Sequence, residues 1–254
     1  MMFRTVIFDL DGTLLDTLED LAAAVDHALA RRGFPLHTVE EYRGMVGHGV
    51  RNLVIRALPP ERQTDERLVG ACLADFKAYY SAHIDVHTRP YPGMPELVTR
   101  LHRAGIRLAI ASNKFQEGTE TLVGRFFPGI PFVAILGNRE GYPLKPDPEI
   151  VREVLRASGV RQEEAVMVGD SPTDMKTAEN GGIRAVAVGW GYRTMTPCGS
   201  YPVVSTPAEL EMVLLGRFWR WHINFCPGWK NYFSHQDEQT KADLREKYHL
   251  EKYK

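Results

Sequence analysis

The chain begins with a short apolar run, "TVIF" at Thr5–Phe8, long enough for one buried strand and too short for a helix. The spacing then changes: Leu18, Leu21, Ala22, Val25, Ala28 and Leu29 recur three and four residues apart, on one face of a helix that Gly33 ends. Asp16 followed by Glu19 predicts a capping box at its start. The same period continues in "VRNLVIRAL" and "TDERLVGACLADFKAYYSAH", so every element up to about Pro90 is predicted helical.

Past "RPYPG" the pattern becomes an alternation. Helix "MPELVTRLHRAG" leads to strand "IRLAIAS", helix "TETLVGRFF", strand "FVAIL", helix "PEIVREVLRASG", strand "AVMVGD", helix "MKTAENGG" and strand "RAVAVGW". Strands that alternate with helices pair in parallel, and the crossovers cover both faces. The predicted fold is α/β: a Rossmann-like parallel sheet with helices on both faces and an inserted all-helical domain. Its boundaries are 1–15 with 91–216 for the core and 16–90 for the insertion, joined by two linkers that permit hinge motion.

Residues 217–254 break the pattern. They hold three of the four tryptophans and eight Lys or Arg against five Asp or Glu, a net charge of about +3. Trp219, Trp221 and Phe225 suit docking on the core first, and a dimer contact or a membrane surface second.

Composition narrows the classes. At 254 residues, 44% hydrophobic, the chain can fill a sizeable core. A formal charge of −1 with both signs interspersed argues against nucleic acid as a partner, since phosphate contacts demand a basic face. Cys72, Cys198 and Cys226 lie far apart without a C-x-x-C pair, which suits a reducing compartment. The first carboxylate, Asp9, follows only eight residues, too few for a secretory apolar region, and no window approaches a spanning helix. A soluble, cytoplasmic protein with no integral membrane segment is expected.

The candidate chemistry sits at the strand ends, where parallel sheets present their ligands. The first loop carries Asp9 and Asp11, the second Ser112 and Asn113, a third Lys145 in "PLKPDP", and the fourth Asp170 and Asp174 in "GDSPTD". Singly, most have ordinary readings: Asp174 as the third helical residue behind a Ser171 cap, Ser112 as a turn residue, Lys145 as a solvated lysine. Asp9 with Asp11 resists such a reading, because two anions beside a buried strand repel each other and lose hydration unless a cation offsets them.

"DLDGT" from Asp9, "ASN" with Ser112, Lys145 and "GDSPTD", in this order, resemble the four motifs of the haloacid dehalogenase-like superfamily of phosphotransferases. The resemblance spans about Phe3 to Leu215, and the helical insertion falls where that family carries its helical cap. It implies a Mg²⁺-dependent phosphatase in which Asp9 attacks phosphorus and forms an aspartyl-phosphate. Asp11 then protonates the leaving alkoxide and later takes a proton from water. The implied metal ligands are Asp9, Asp11 through its backbone carbonyl, Asp170, and Asp174 directly or through water. Ser112 and Lys145 are implied at the phosphoryl group, with Thr13 and Asn113 as neighbouring substrate contacts. A carboxylate is already ionised at neutral pH, so the attacker needs no base; charge repulsion is its obstacle.

Within this family "GMVGHGVRNLVIRAL", "GYPLKPDP" and "GWGYR" look like the phosphoglycolate phosphatase branch. That implies a small phosphorylated metabolite as partner, with His48 and Arg51 reading its carboxylate while Gly47 and Gly49 let the backbone approach. A pyrophosphatase, a sugar-phosphate phosphatase or a phosphomutase of the same superfamily are the alternatives. A non-catalytic phosphate-binding protein is a further one, against which both Asp9 and Asp11 stand.

Overall fold

A computed structural model of the chain describes residues 3–196, 200–215 and 236–242. Strand β1 (Thr5–Phe8) is followed by a short strand β2 (Leu15–Asp16) and the helices α1 (Leu18–Ala30), α2 (Val39–Met45), α3 (Val50–Ala57) and α4 (Glu66–Ala82). A second short strand, β3 (Arg89–Pro90), leads to α5 (Met94–Arg103), β4 (Arg107–Phe115), α6 (Gln116–Phe126), β5 (Ala134–Asn138) and α7 (Glu149–Ser158). After these come β6 (Ala165–Gly169), α8 (Pro172–Asn180), β7 (Arg184–Val188), β8 (Val203–Val204) and α9 (Pro207–Leu214).

Six strands form one parallel sheet in the order β5-β4-β1-β6-β7-β8. Alternate side chains of each strand divide the core. Val6, Phe8, Leu108, Ile110, Val166 and Val168 pack with Leu97, Leu101, Leu122 and Leu210 of α5, α6 and α9. Ile7, Ala109, Ala111, Met167, Ala185 and Ala187 pack with Val151 and Val154 of α7 and Ala178 of α8. The two-residue period of a strand thus accounts for helices on both faces, as the alternation predicted.

The helical block is built on α1 and α4. Val69, Cys72, Phe76 and Tyr80 of α4 are spaced three and four apart and are fully buried with Leu21, Val25 and Leu29 of α1. The two linkers pair with each other: Leu15 faces Pro90 and Asp16 faces Arg89 in an antiparallel two-residue ladder. Asp20, buried on α1, accepts hydrogen bonds from the Thr88 N–H (2.8 Å), the Thr88 hydroxyl (2.7 Å) and the His87 N–H (2.9 Å), fastening the block to its return linker.

The predicted Asp16–Glu19 capping box does not form. Asp16 is held in β2, and its Oδ1 accepts from the Leu18 N–H (3.3 Å) and the Tyr192 hydroxyl (3.3 Å), while Thr17 takes the cap position with its hydroxyl bonded to Asp11 and not to the first helical turn. Capping boxes form instead at Thr38–Glu41 and Ser171–Asp174. Trp219, Trp221 and Phe225 lie outside the described residues. Among the described residues no helix is long and apolar enough to cross a membrane.

Candidate active site

The carboxyl end of β1 delivers Asp9, whose N–H donates to Val168 O of β6 (2.9 Å). The strand order reverses between β1 and β6, the place where open α/β sheets hold ligands. Gly12 turns the chain there at φ +84°, and a Cβ on it would stand 2.5 Å from Asp170 Oδ2; one on Gly191 would stand 2.2 Å from Asp170 Cβ. These close approaches require glycine. They let Asp170 accept the Thr13 hydroxyl (3.1 Å) on one oxygen and the Tyr192 N–H (2.8 Å) on the other.

Lys145 arrives from the loop after β5 and is fixed by Asn113. The Asn113 Oδ1 accepts the Lys145 N–H (2.8 Å), and its Nδ2 donates to Lys145 O (3.2 Å) and to Gly47 O of the helical block (3.3 Å). So placed, the Lys145 ammonium donates to Ala111 O (2.8 Å) and Asp174 Oδ1 (2.7 Å), and lies 2.9 Å from Asp9 Oδ1. Asp174 serves two partners: its Oδ2 closes the capping box with Ser171 (2.6 Å to the hydroxyl) while its Oδ1 holds Lys145. The helix-cap reading and the site reading of Asp174 are therefore compatible. Ser112 is buried beside them, its hydroxyl accepting the Lys114 N–H (3.2 Å).

The electrostatics are unbalanced. Asp9, Asp170 and Asp174 are buried with one ammonium among them. Burial, then repulsion from Asp174 and Asp170, pushes the Asp9 carboxyl up to about 8 against the pull of Lys145. Burial and Asp174 push Asp170 up to about 6. Burial alone would pull Lys145 down, but Asp174 and Asp9 together raise it, so it stays charged. Although Lys145 is near, Asp9 Oδ1 is a buried oxygen with no directed hydrogen bond, so that contact is ionic only. One carboxylate oxygen from each of Asp9, Asp170 and Asp174 lies within 4.8 Å of the others, an all-oxygen donor set that suits a hard divalent cation.

Asp11 stands apart from that cluster. Its carboxylate accepts the Thr17 hydroxyl (2.8 Å) and the ammonium of Lys114 (3.1 Å), which also donates to the Tyr80 hydroxyl of α4 (2.7 Å). Over both groups the helical block contributes Leu21, Val46, Gly47, Gly49, Val50, Leu53 and Phe76 to one cavity shared with Asp9, Asp11, Ser112 and Lys145.

His48 and Arg51 are not brought to that cavity. Both are exposed, and Arg51 is paired with Glu66. The first helix turn after Gly49 points Val50 and Leu53 inward, which turns Arg51 to the opposite face. Replacing His48 and Arg51 together with Ala is expected to change kcat/KM by no more than about fivefold, the scale of an exposed ion pair, as steady-state kinetics would measure. Sequence reasoning missed Lys114, Tyr80, Tyr192 and Arg193. For Lys114 a signal existed, a lysine directly after "ASN" in a strand end that is otherwise buried; Tyr80 reads as an ordinary core position of α4.

A parallel sheet with an acidic cluster and a buried lysine at its switch point, roofed by helices, defines an α/β protein equipped for phosphoryl chemistry. The chain belongs to the haloacid dehalogenase-like hydrolases, a family that matches residues 6–188. It is 38% identical over 188 residues to the phosphoglycolate phosphatase of Mesorhizobium japonicum, covering 74% of this chain and 83% of that one. Phosphoglycolate phosphatase 1 of Pseudomonas aeruginosa is 37% identical over 198 residues, 76% of this chain and 72% of its own. Two solved structures share the fold at sequence identities above 25%. A Lactobacillus delbrueckii subsp. bulgaricus protein whose proposed activity is phosphoglycolate phosphatase superposes with a TM-score of 0.79 at 34% identity, covering 85% of this chain and 100% of that one. CbbY from Rhodobacter sphaeroides, in complex with phosphate, gives 0.66 at 28% identity over 82% of this chain and 96% of its own.

Proposed function

We propose that this hydrolase is a Mg²⁺-dependent phosphatase of small phosphate monoesters, with 2-phosphoglycolate as its foremost substrate, working through an aspartyl-phosphate on Asp9. The observation that carries the reading is the state of Asp9: a buried carboxylate without a directed hydrogen bond, raised to about 8 by burial and by its acidic neighbours. Such a group is costly unless a cation and an anionic phosphoryl group belong beside it. The curated relatives' activity supports the choice of phosphoglycolate.

Asp9, Asp170 and Asp174 would hold the ion, which when bound neutralises charge on both the carboxylate and the phosphoryl oxygens. Asp9 then serves as nucleophile. Lys145 holds Asp9 and Asp174 at fixed distance and presents positive charge to the phosphoryl group, with the Ser112 hydroxyl as a further donor. Asp11, oriented by Thr17 and Lys114 on the cavity side of the turn, hands a proton to the leaving oxygen and takes one from the hydrolytic water. The roof of Leu21, Val50, Leu53 and Phe76 keeps other water out.

Phosphate release from 2-phosphoglycolate, pyrophosphate, a hexose phosphate and an aryl phosphate, each with and without Mg²⁺, tests the reading. Metal-independent release, or none from any monoester, would refute it. A second measurement needs no substrate. The folded-state values of Asp9 and Asp170 lie above their unfolded value, so the folded protein binds more protons than the unfolded one between about pH 4 and pH 8. Stability of the metal-free protein should therefore fall as pH rises through that window, and a divalent cation should restore it most at the alkaline end. At pH 8 and ~100 times its Kd, Mg²⁺ should raise Tm by about 5–10 °C, and by less at pH 5 where protons compete. An equal gain at both pH values would show that the ion binds elsewhere.

A further inference from the structure

The loop between α2 and α3 brings Val46, Gly47, Gly49 and Val50 of the helical block to the cavity, and the core holds it from two sides. On one side Asn113 Nδ2 donates to Gly47 O (3.3 Å), and Gly49, at φ +80°, is seated so closely that a Cβ on it would stand 3.3 Å from Leu144 Cδ1. On the other, the guanidinium of Arg193 donates to the carbonyls of Arg43 (2.5 Å), Gly44 (3.0 Å) and Val46 (2.7 Å). These acceptors are the carboxyl end of α2, where the last carbonyls have no partner within the helix and the helix dipole is negative. A planar guanidinium reaches several such carbonyls at once.

Arg193 stands on a fixed base. Tyr192 before it is buried; its N–H donates to Asp170 (2.8 Å) and its hydroxyl accepts the Thr17 N–H (2.7 Å) at the start of α1. Arg43 lies over the Tyr192 ring, 5.9 Å from its centroid, so the seam carries a second contact. All the hydrogen bonds that Arg193 makes among the described residues go to carbonyls of the helical block and none to a carboxylate. The contact therefore exists only while the block is seated. It is also reversible: the guanidinium is half-buried and helix-end carbonyls bind water when uncovered, so separation leaves neither side unsatisfied. Lys145 differs, because its removal would leave Asp9 and Asp174 buried and unpaired.

We propose that Arg193 is a latch: its hold on the end of α2 seats the α2–α3 loop, and through it Val50 and Leu53, over Asp9 and Asp11, and its release opens the way to them. The gating of phosphate rests on the phosphatase reading above; the latch itself does not.

Hydrogen exchange of the full chain without substrate reads the latch. Arg193→Ala should speed exchange of the amides from Val46 to Leu53 by about 10–10²-fold, the net worth of a hydrogen bond to a charged group, and leave β1 and β6 unchanged. Arg56 of α3 is the control, since it reaches the Gly44 and Met45 carbonyls at 3.4 and 3.5 Å from within the helical block. Contacts that long are weak, so Arg56→Ala should change the same amides by no more than about threefold. Unchanged exchange in Arg193→Ala overturns the proposal, as does equal acceleration in β1 and β6 or in Arg56→Ala. If Arg193→Ala does not fold, Arg193→Gln is read by the same amides, and unchanged exchange there overturns it as well. Binding of inorganic phosphate with Mg²⁺, followed by phosphorus NMR, reads the gate. Association and dissociation rates should both rise about tenfold or more in Arg193→Ala while Kd moves far less, because a gate slows entry and exit alike. A change in Kd alone, or in neither rate, overturns the gating. An unaltered protein that binds no phosphate counts against the phosphatase reading, and exchange then decides the latch by itself.

Discussion

Asp9→Asn should lower phosphate release by on the order of 10⁴–10⁶, the scale seen when a covalent nucleophile is removed, while making the metal-free protein more stable. The two effects share a cause. An amide is a poor nucleophile and forms no acyl phosphate, which removes the chemistry. It also removes a carboxylate that burial, Asp174 and Asp170 all disfavour in the folded state. Thermal melts in chelator at pH 8 should therefore rise for the variant, and the Mg²⁺-dependent gain should shrink because one donor of the acidic cluster has lost its charge. Labelled phosphoenzyme trapped in Asp9→Asn, or turnover within tenfold of the unaltered protein, would overturn the nucleophile assignment.

Lys145→Met should act in the opposite direction on stability. The side chain is 2% exposed and its ammonium is the contact that Asp9 and Asp174 share, so methionine of similar length leaves two buried carboxylates unpaired. Losing one partner of a buried pair costs about 3–5 kcal/mol, or a fall in Tm of roughly 10 °C for a chain of this size. The loss should be greatest near pH 8 and smaller at pH 5, where protonation of Asp9 and Asp170 does the work of the missing cation. Activity should fall with it, since the phosphoryl group loses its fixed positive neighbour. A Tm within about 2 °C of the unaltered protein at pH 8, less than a kcal/mol by the same scale, would show that Lys145 does not offset the acidic cluster.

What the sequence determined by itself was the part of the structure that depends on near neighbours. Helical and strand periods are set by hydrogen bonds and side-chain directions within a few residues, so the helical run from α1 to α4 and the β–α alternation after Pro90 were legible along the chain, while the two-residue strands β2 and β3 that bracket the helical run were too short to carry a period. Gly33 ending α1 and Ser171 capping α8 were legible for the same reason. The acidic strand ends were legible because Asp9 and Asp170 each follow a buried strand directly, where a carboxylate has no local partner. Tertiary structure decided whatever joins distant positions. Asp16 had a plausible local partner in Glu19 and lost it to the ladder with Arg89 and the hydroxyl of Tyr192. Lys114 meets Asp11 from 103 residues away and Tyr80 from 34, and Arg193 reaches Arg43 across 150. Such pairs carry no period, so nothing near Lys114 in the chain names its partners. The loop around His48 illustrates the same limit. Its composition announced an anion-binding surface, but the start of α3 at Val50 set which residues faced inward, and the helix turned Val50 and Leu53 to the cavity and Arg51 to solvent and Glu66. Chemistry at a strand end can be read from sequence because the strand itself aims it. Chemistry across the cavity cannot, because only the docking of the helical block on the sheet decides which side chains meet.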